Sequence, residues 1–285
     1  MIRILKDYLY GFVGLTASII TIILFTNNLY PALSADGRVA VLFIGGLFIW
    51  FFFENVYLKI RWGRERRYAQ TLVYIADGFS EIHNLYRKNI TVDNAVGALT
   101  HLCDNLAQTF TLITGTKCRA SVKILTREDN ALKAITFCRN RDPINNPKNN
   151  TIKHWLDKNT DFLEVFDKID APGGAYFFSN LLPFRYGYQN TSFEVYKGKP
   201  DNNLLLRYLR WTLPYRSTIV MPICPCSEQN QKMLVGFLCI DSAPILAFKA
   251  DYDVPLLEGV ADGIYNLIRD AADALPSPGE SAEGN

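Results

Sequence analysis

Hydrophobic positions along this chain change their rhythm as it proceeds. Tyr8 to Tyr30 contains no charged residue, and Val39–Phe53 is again charge-free, its apolar character continuing to Leu58 across Glu54 and Asn55. The first stretch has 23 residues; as a helix rising 1.5 Å per residue it would cross a hydrocarbon core of roughly 30 Å. The second would cross with some tilt and snorkelling. The expectation is a two-helix transmembrane hairpin over residues 1–58, turned at 31–38. From Arg64 the period becomes 4, 3, 4, 3, 4, at Tyr68, Leu72, Ile75, Phe79, Ile82 and Tyr86. That spacing predicts a connecting amphipathic or coiled-coil helix over 59–90, with Asn89-Ile90-Thr91 breaking it.

The rest of the chain alternates between helical and strand periods. Thr91 and Asp93 suit a helix start, Val92, Val96, Leu99, Cys103, Leu106, Phe110 and Ile113 form one face, and Gly115 ends it. Cys118, Ala120, Val122 and Ile124 alternate with Arg119, Ser121 and Lys123, a half-buried strand. Glu128-Asp129-Asn130 turns the chain into a partner strand, 131–138. A loop is expected at 139–150, helical turns at Ile152–Lys158 and Asp161–Lys168, a turn at Pro172-Gly173-Gly174, and a short strand at Ala175–Phe178. The segment Leu181–Lys199 is irregular and aromatic, and Leu204–Trp211 has helical character. Two apolar runs, Ser217–Ile223 and Met233–Ile240, flank a polar turn and read as a buried antiparallel hairpin at the centre of a sheet. Phe248–Ile268 returns to helical spacing. The domain is expected over 91–270, with a disordered tail at 271–285.

Charge adds an orientation. Arg3 and Lys6 precede the first apolar stretch, and Lys59, Arg61, Arg64, Arg66 and Arg67 follow the second, with Arg38 alone between them. The positive-inside rule then predicts a multi-pass protein of the inner or plasma membrane with both termini cytoplasmic. A signal peptide is the weaker reading: Leu33-Ser34-Ala35 is a poor cleavage site and the first stretch is too long for an h-region. Across all 285 residues the net charge is +2, which makes no case for a nucleic-acid polymer as partner. Six cysteines at irregular spacing read as buried thiols rather than a disulfide framework.

The order of elements, and above all YRSTIVMPI, MLVGFLCIDS and FKADYDVPLLEGVADGIYNLI, resembles the GAF domain. The features that carry the resemblance are a strand entering through Ser217 and ending in Pro222, a strand containing Gly236, and a helix start bearing Phe248 and Asp251. It covers roughly residues 91–268, and the Tyr- and Asn-rich middle departs from it. The resemblance implies an α+β fold: a GAF-like antiparallel sheet flanked by helices, here preceded by two transmembrane helices and a connecting helix. It also implies helices on one face of the sheet, a ligand pocket on the other, and dimerisation through terminal helices. That agrees with a homodimer seam near Tyr68, Leu72, Ile75, Phe79 and Ile82.

No catalytic motif is present: there is no phosphate-cradling Gly loop, no HExxH and no GxSxG. His83, His101 and His154 are far apart and show no metal-ligand spacing, so no metal site or cofactor is expected. Cys224-Pro225-Cys226 is a weak metal or redox candidate, lacking further soft ligands nearby. The aromatic and basic segment upstream of Ser217 is the better ligand candidate. Tyr176, Phe178, Asn180, Tyr188, Arg207, Tyr208 and Arg216 are the candidates to bind a small, nucleotide-like ligand, by stacking and by the guanidinium fork. The alternative is that these residues cover a loose loop or a dimer face, since a buried aromatic layer needs no ligand. The expected function is a membrane-anchored sensory or regulatory protein that relays ligand or partner binding through the connecting helix. The alternative is a ligand-triggered two-span effector that oligomerises and perturbs the membrane.

Overall fold

A computed structural model describes residues 35–87, 91–142, 152–171, 175–198, 203–227 and 229–273. The first apolar stretch (8–30), the Asn89-Ile90 break, most of the 139–150 loop, the Pro172-Gly173-Gly174 turn and nearly all of the tail lie outside the described residues. The chain divides into two units, residues 1–66 and 67–285.

In the first unit the described residues belong to helix α1 (Ala35–Tyr86), which runs on into the second. Phe43, Trp50, Phe51 and Phe53 are exposed along it. Among the described residues no helix is long and apolar enough to cross a membrane. This overturns the multi-pass localisation: the second expected span is the beginning of a 52-residue helix. Its apolar run is cut at Glu54-Asn55, and the helix then continues through Lys59 and a series of arginines.

The second unit is an α+β domain. Its elements are α2 (Val92–Thr114), β1 (Cys118–Glu128), β2 (Ala131–Arg139), β3 (His154–Trp155), α3 (Thr160–Lys168), β4 (Phe177–Ser179), α4 (Ser192–Val195), α5 (Leu204–Leu209), β5 (Ser217–Ile223), β6 (Gly236–Ser242) and α6 (Ala250–Asp273). The six strands form one antiparallel sheet in the order β3-β2-β1-β6-β5-β4, so the β5–β6 hairpin does place its second strand at the centre. Local signals set the ends as expected. The Thr91 hydroxyl accepts from Asn94 N at 3.3 Å, and Gly115, at φ 71°, donates its N–H to Thr111 O. Asp129 and Asn130 both adopt positive φ, the two-residue turn that matches the twist of paired strands. Residues 152–158 depart from the expected helical turns: His154 and Trp155 pair with Ala134 and Lys133, and only Leu156–Lys158 forms a 3₁₀ turn. Without that pairing this edge of β2 would keep unpaired backbone groups.

Two-residue alternation divides the sheet's side chains between two cores. Ala120, Val122, Ile124, Ile219, Met221, Leu238 and Ile240 join α2 and α6 in one cluster. Val220, Phe237 and Cys239 join Phe162, Phe177, Tyr188 and Phe193 on the opposite side. Because both faces are covered, β5 is buried along its whole length, which explains why it reads as a continuous apolar run. Pro222 lies beyond the Thr218–Val220 stretch that β4 covers, so its missing N–H breaks no rung there.

The α1 seam packs on this same domain. Ile82 is fully buried in the helix-side core, with Ile75 and Phe79 against it, while Leu72 and Tyr86 are exposed. Tyr68 stacks on Tyr252 and donates its hydroxyl to Asp253 Oδ1 at 2.6 Å.

Candidate functional site

The polar positions in the first half of β1 face a cavity. Arg119, Ser121 and Lys123 point away from α2 and line a cavity of about 60 Å³. The sheet's register builds its floor: Arg119 lies opposite Asp241, Ser121 opposite Cys239, and Thr218 on β5 opposite Asp241. Arg139 joins them from β2, opposite Ser121. A bulge shifts that pairing between Val122 and Lys123, so that Lys123 faces Thr136; bulges re-aim side chains in this way, often beside functional sites. The walls come from Asp161 and Phe162 in the first turn of α3, from Asn190, Ser192 and Tyr196, and from Pro214-Tyr215 leading into β5.

Charge dominates this lining. Lys123 is buried, and burial lowers its ammonium pKa from 10.5 to about 8. Its Nζ donates to Thr136 Oγ1 at 3.0 Å and lies 5.8 Å from the centre of the Phe162 ring. Burial also lowers the Arg139 pKa, and its buried Nε has no hydrogen-bond partner among the described residues. Asp241 accepts from the Thr218 hydroxyl at 2.6 Å, and burial still raises its carboxyl pKa. Asp161 is raised to about 6, by burial above all, against the donation of the Tyr188 hydroxyl at 3.0 Å. Asn190 Nδ2 donates to the same Asp161 oxygen at 3.2 Å and reaches the Tyr215 hydroxyl at 3.3 Å.

His154 is held neutral, its pKa driven well below the usual value by burial and then by the Lys123 charge. The Thr191 hydroxyl donates to Asn159 Oδ1 at 3.2 Å and therefore accepts from His154 Nδ1 at 2.8 Å. Nε2 is left as the acceptor nitrogen of the ring.

None of the seven ligand residues expected from sequence lines this cavity. Tyr188 comes nearest, fully buried and bonded to Asp161. Arg207 is buried beneath the irregular segment, donating to the carbonyls of Arg185 and Tyr188, each at 2.7 Å. Tyr208 stacks on Phe184, and the Arg216 guanidinium lies 5.6 Å from the centre of the Tyr208 ring. Asn180 clamps the start of the last helix: its Nδ2 donates to Phe248 O at 2.8 Å and its Oδ1 accepts from Phe248 N at 3.0 Å. Phe178 packs against the helix-side core, and Tyr176 is exposed. The charged lining came from β1, β2, α3 and β6 instead. The one sequence signal for it was the alternation of Arg119, Ser121 and Lys123.

Cys224 is buried and Cys226 exposed, and burial raises both thiols, to about 12 and about 11. Such thiols are poor thiolate nucleophiles at neutral pH. Among the described residues no group of three or more His, Cys, Asp or Glu side chains is placed to hold a metal ion.

No protein-family model matches the chain, and no curated protein matches it in sequence. Solved structures are similar to it. The GAF domain of a phosphoenolpyruvate-protein phosphotransferase from Coxiella burnetii is 10% identical, over 72% of this chain and 96% of that one, at a TM-score of 0.46. The corresponding GAF domain from Acinetobacter is 10% identical over 70% and 94%, at 0.40. The chromophore-binding domain of a bacteriophytochrome from R. palustris is 12% identical over 73% and 64%, at 0.40. An antiparallel sheet with flanking helices, helices α2 and α6 on one face and a cavity on the other, fits the GAF-like α+β class that the C-terminal third of the sequence resembles.

Proposed function

We propose that residues 91–270 form a GAF-type sensory domain that binds a small molecule in the cavity between the sheet and α3. The observation that carries this reading is the lining itself. Lys123 and Asp161 are buried, Arg139 and Asp241 half-buried, and among the described residues none makes an ion pair with another. Charges held apart in a low-dielectric site cost stability unless something pairs them. A ligand that completes the pairing accounts for their retention, and perturbed titratable groups in a cleft are the usual mark of a binding or reaction site. The size of the cavity favours a short metabolite over a nucleotide.

A thermal-shift screen of metabolites against the full chain, run beside Ser121→Leu, tests this. The longer, branched side chain of that variant would fill the cavity from its floor without touching the helix-side core. The expected outcome is at least one compound that raises the Tm of the wild type and not of the variant. Compounds that shift both equally would place binding elsewhere and overturn the proposal.

A further inference from the structure

The signs and positions of the cavity's charges specify more than a ligand; resting on the binding site proposed above, we infer that its ligand is a short zwitterion of the α-amino-acid class. Arg119, although opposite Asp241 across β1 and β6, lies 3.6 Å from Asp142. Asp142 is also reached by Lys117 at 2.8 Å, so the Arg119 charge is shared between Asp142 and Asp241. Beside Arg119, the cations Lys123 and Arg139 and the carboxylates Asp161 and Asp241 line one space. A ligand with one positive and one negative group answers both signs.

Each end has a defined berth. The ammonium of the ligand is drawn to Asp241, whose orientation is fixed by the Thr218 hydroxyl at 2.6 Å, with Asp161 on the opposite wall. The carboxylate is drawn to Arg139, whose buried Nε is unpartnered among the described residues, and to Lys123. The Lys123 ammonium has three protons and donates one of them to Thr136. The Tyr215 hydroxyl, which accepts from Asn190 at 3.3 Å, lines the same space.

Other chemistries fit less well. A dicarboxylate or a phosphate would press a second negative charge against Asp161 and Asp241. A simple amine would leave Lys123 and Arg139 unanswered. Like charges in a desolvated site discriminate strongly against a wrong ligand. Volume narrows the class: about 60 Å³ is room for about four to six water-sized groups. That admits a two- or three-carbon amino acid and excludes an aromatic one.

The test is isothermal titration of the full chain with glycine, L-alanine and L-serine, and with ethylamine, propionate, succinate and AMP, for wild type, Asp241→Asn and Arg139→Gln. At least one amino acid should bind, with propionate and ethylamine each weaker by tenfold or more. Asp241→Asn should weaken the amino acid at least tenfold and leave propionate unchanged. Arg139→Gln should do the converse with ethylamine. Because the truncated ligands are compared on the wild-type protein, the result stands even where a variant folds poorly. Binding of succinate or AMP but of no amino acid would overturn the zwitterion and keep the site. No binding by any of the seven would overturn the zwitterion, and with no hit in the metabolite screen the site as well.

Discussion

Lys123 and Asp161 carry opposite charges and the same penalty. Lys123 has its pKa lowered from 10.5 to about 8 by burial, so between those values the unfolded chain binds the proton that the folded one gives up. Its contribution to stability therefore rises with pH across that window, and at pH 7 it is a cost of about 3 kcal/mol. Lys123→Met should raise the unliganded Tm at pH 7 and abolish ligand binding; a lower Tm would mean the ammonium is paired or solvated. Asp161, raised from 3.8 to about 6, works in reverse. Here the folded state holds the extra proton, so its contribution is present below 3.8 and is lost as pH rises through 6. Urea unfolding of Asp161→Asn against wild type should therefore favour the variant by about 2–3 kcal/mol more at pH 8 than at pH 4. An unchanging difference would contradict the buried carboxylate. These residues show where sequence reading stops. The alternation of β1 predicts a half-buried strand, but nothing in it shows that Arg119, Ser121 and Lys123 line a cavity. Asp161 and Asp241, 80 positions apart, become neighbours only through the folded sheet.

Among the elements, β6 depends on a close approach that only glycine permits. A Cβ on Gly236 would land on the carbonyl of Lys123 in the adjacent strand. Gly236→Ala should thus cost about 3 kcal/mol or more in chemical denaturation, as overpacking at a fixed backbone does; a loss under half that would show that β1 can yield. The α1 seam makes a second prediction. Ile82 is 1% exposed and Leu72 61%. Ile82→Ala should destabilise the domain by about 2–5 kcal/mol, while Leu72→Ala stays within about 0.5 kcal/mol. Equal effects would mean the helix does not pack as described. The heptad spacing at Tyr68–Tyr86 was legible because a seam facing a partner and a face packing on its own domain leave the same pattern of apolar residues. Likewise, the apolar run at 39–58 predicted a helix correctly, but among the described residues no helix is long and apolar enough to cross a membrane. Hydropathy reads composition, whereas this segment is one part of a 52-residue helix.

For the molecule as a whole, the sheet serves two cores at once: α2 and α6 hold one face, and the other face carries the charged cavity. The hairpins, the helix caps and the central place of β5–β6 were readable because each rests on neighbours in sequence. The cavity was not, because its charged side chains come from four elements, β1, β2, α3 and β6. Occupation of that cavity should stabilise the folded chain by mass action, about 2.7 kcal/mol at a ligand concentration one hundred times Kd. It should also change the titration of the groups around it. The most direct measurement is a ¹⁵N NMR pH titration of the Lys123 Nζ, assigned by its absence in Lys123→Met, with and without saturating L-serine. The prediction is a midpoint near 8 in the unliganded protein, moving upward when a carboxylate arrives beside the ammonium. An ordinary midpoint near 10.5, unmoved by the amino acid, would contradict a buried, ligand-binding cavity on this face of the sheet.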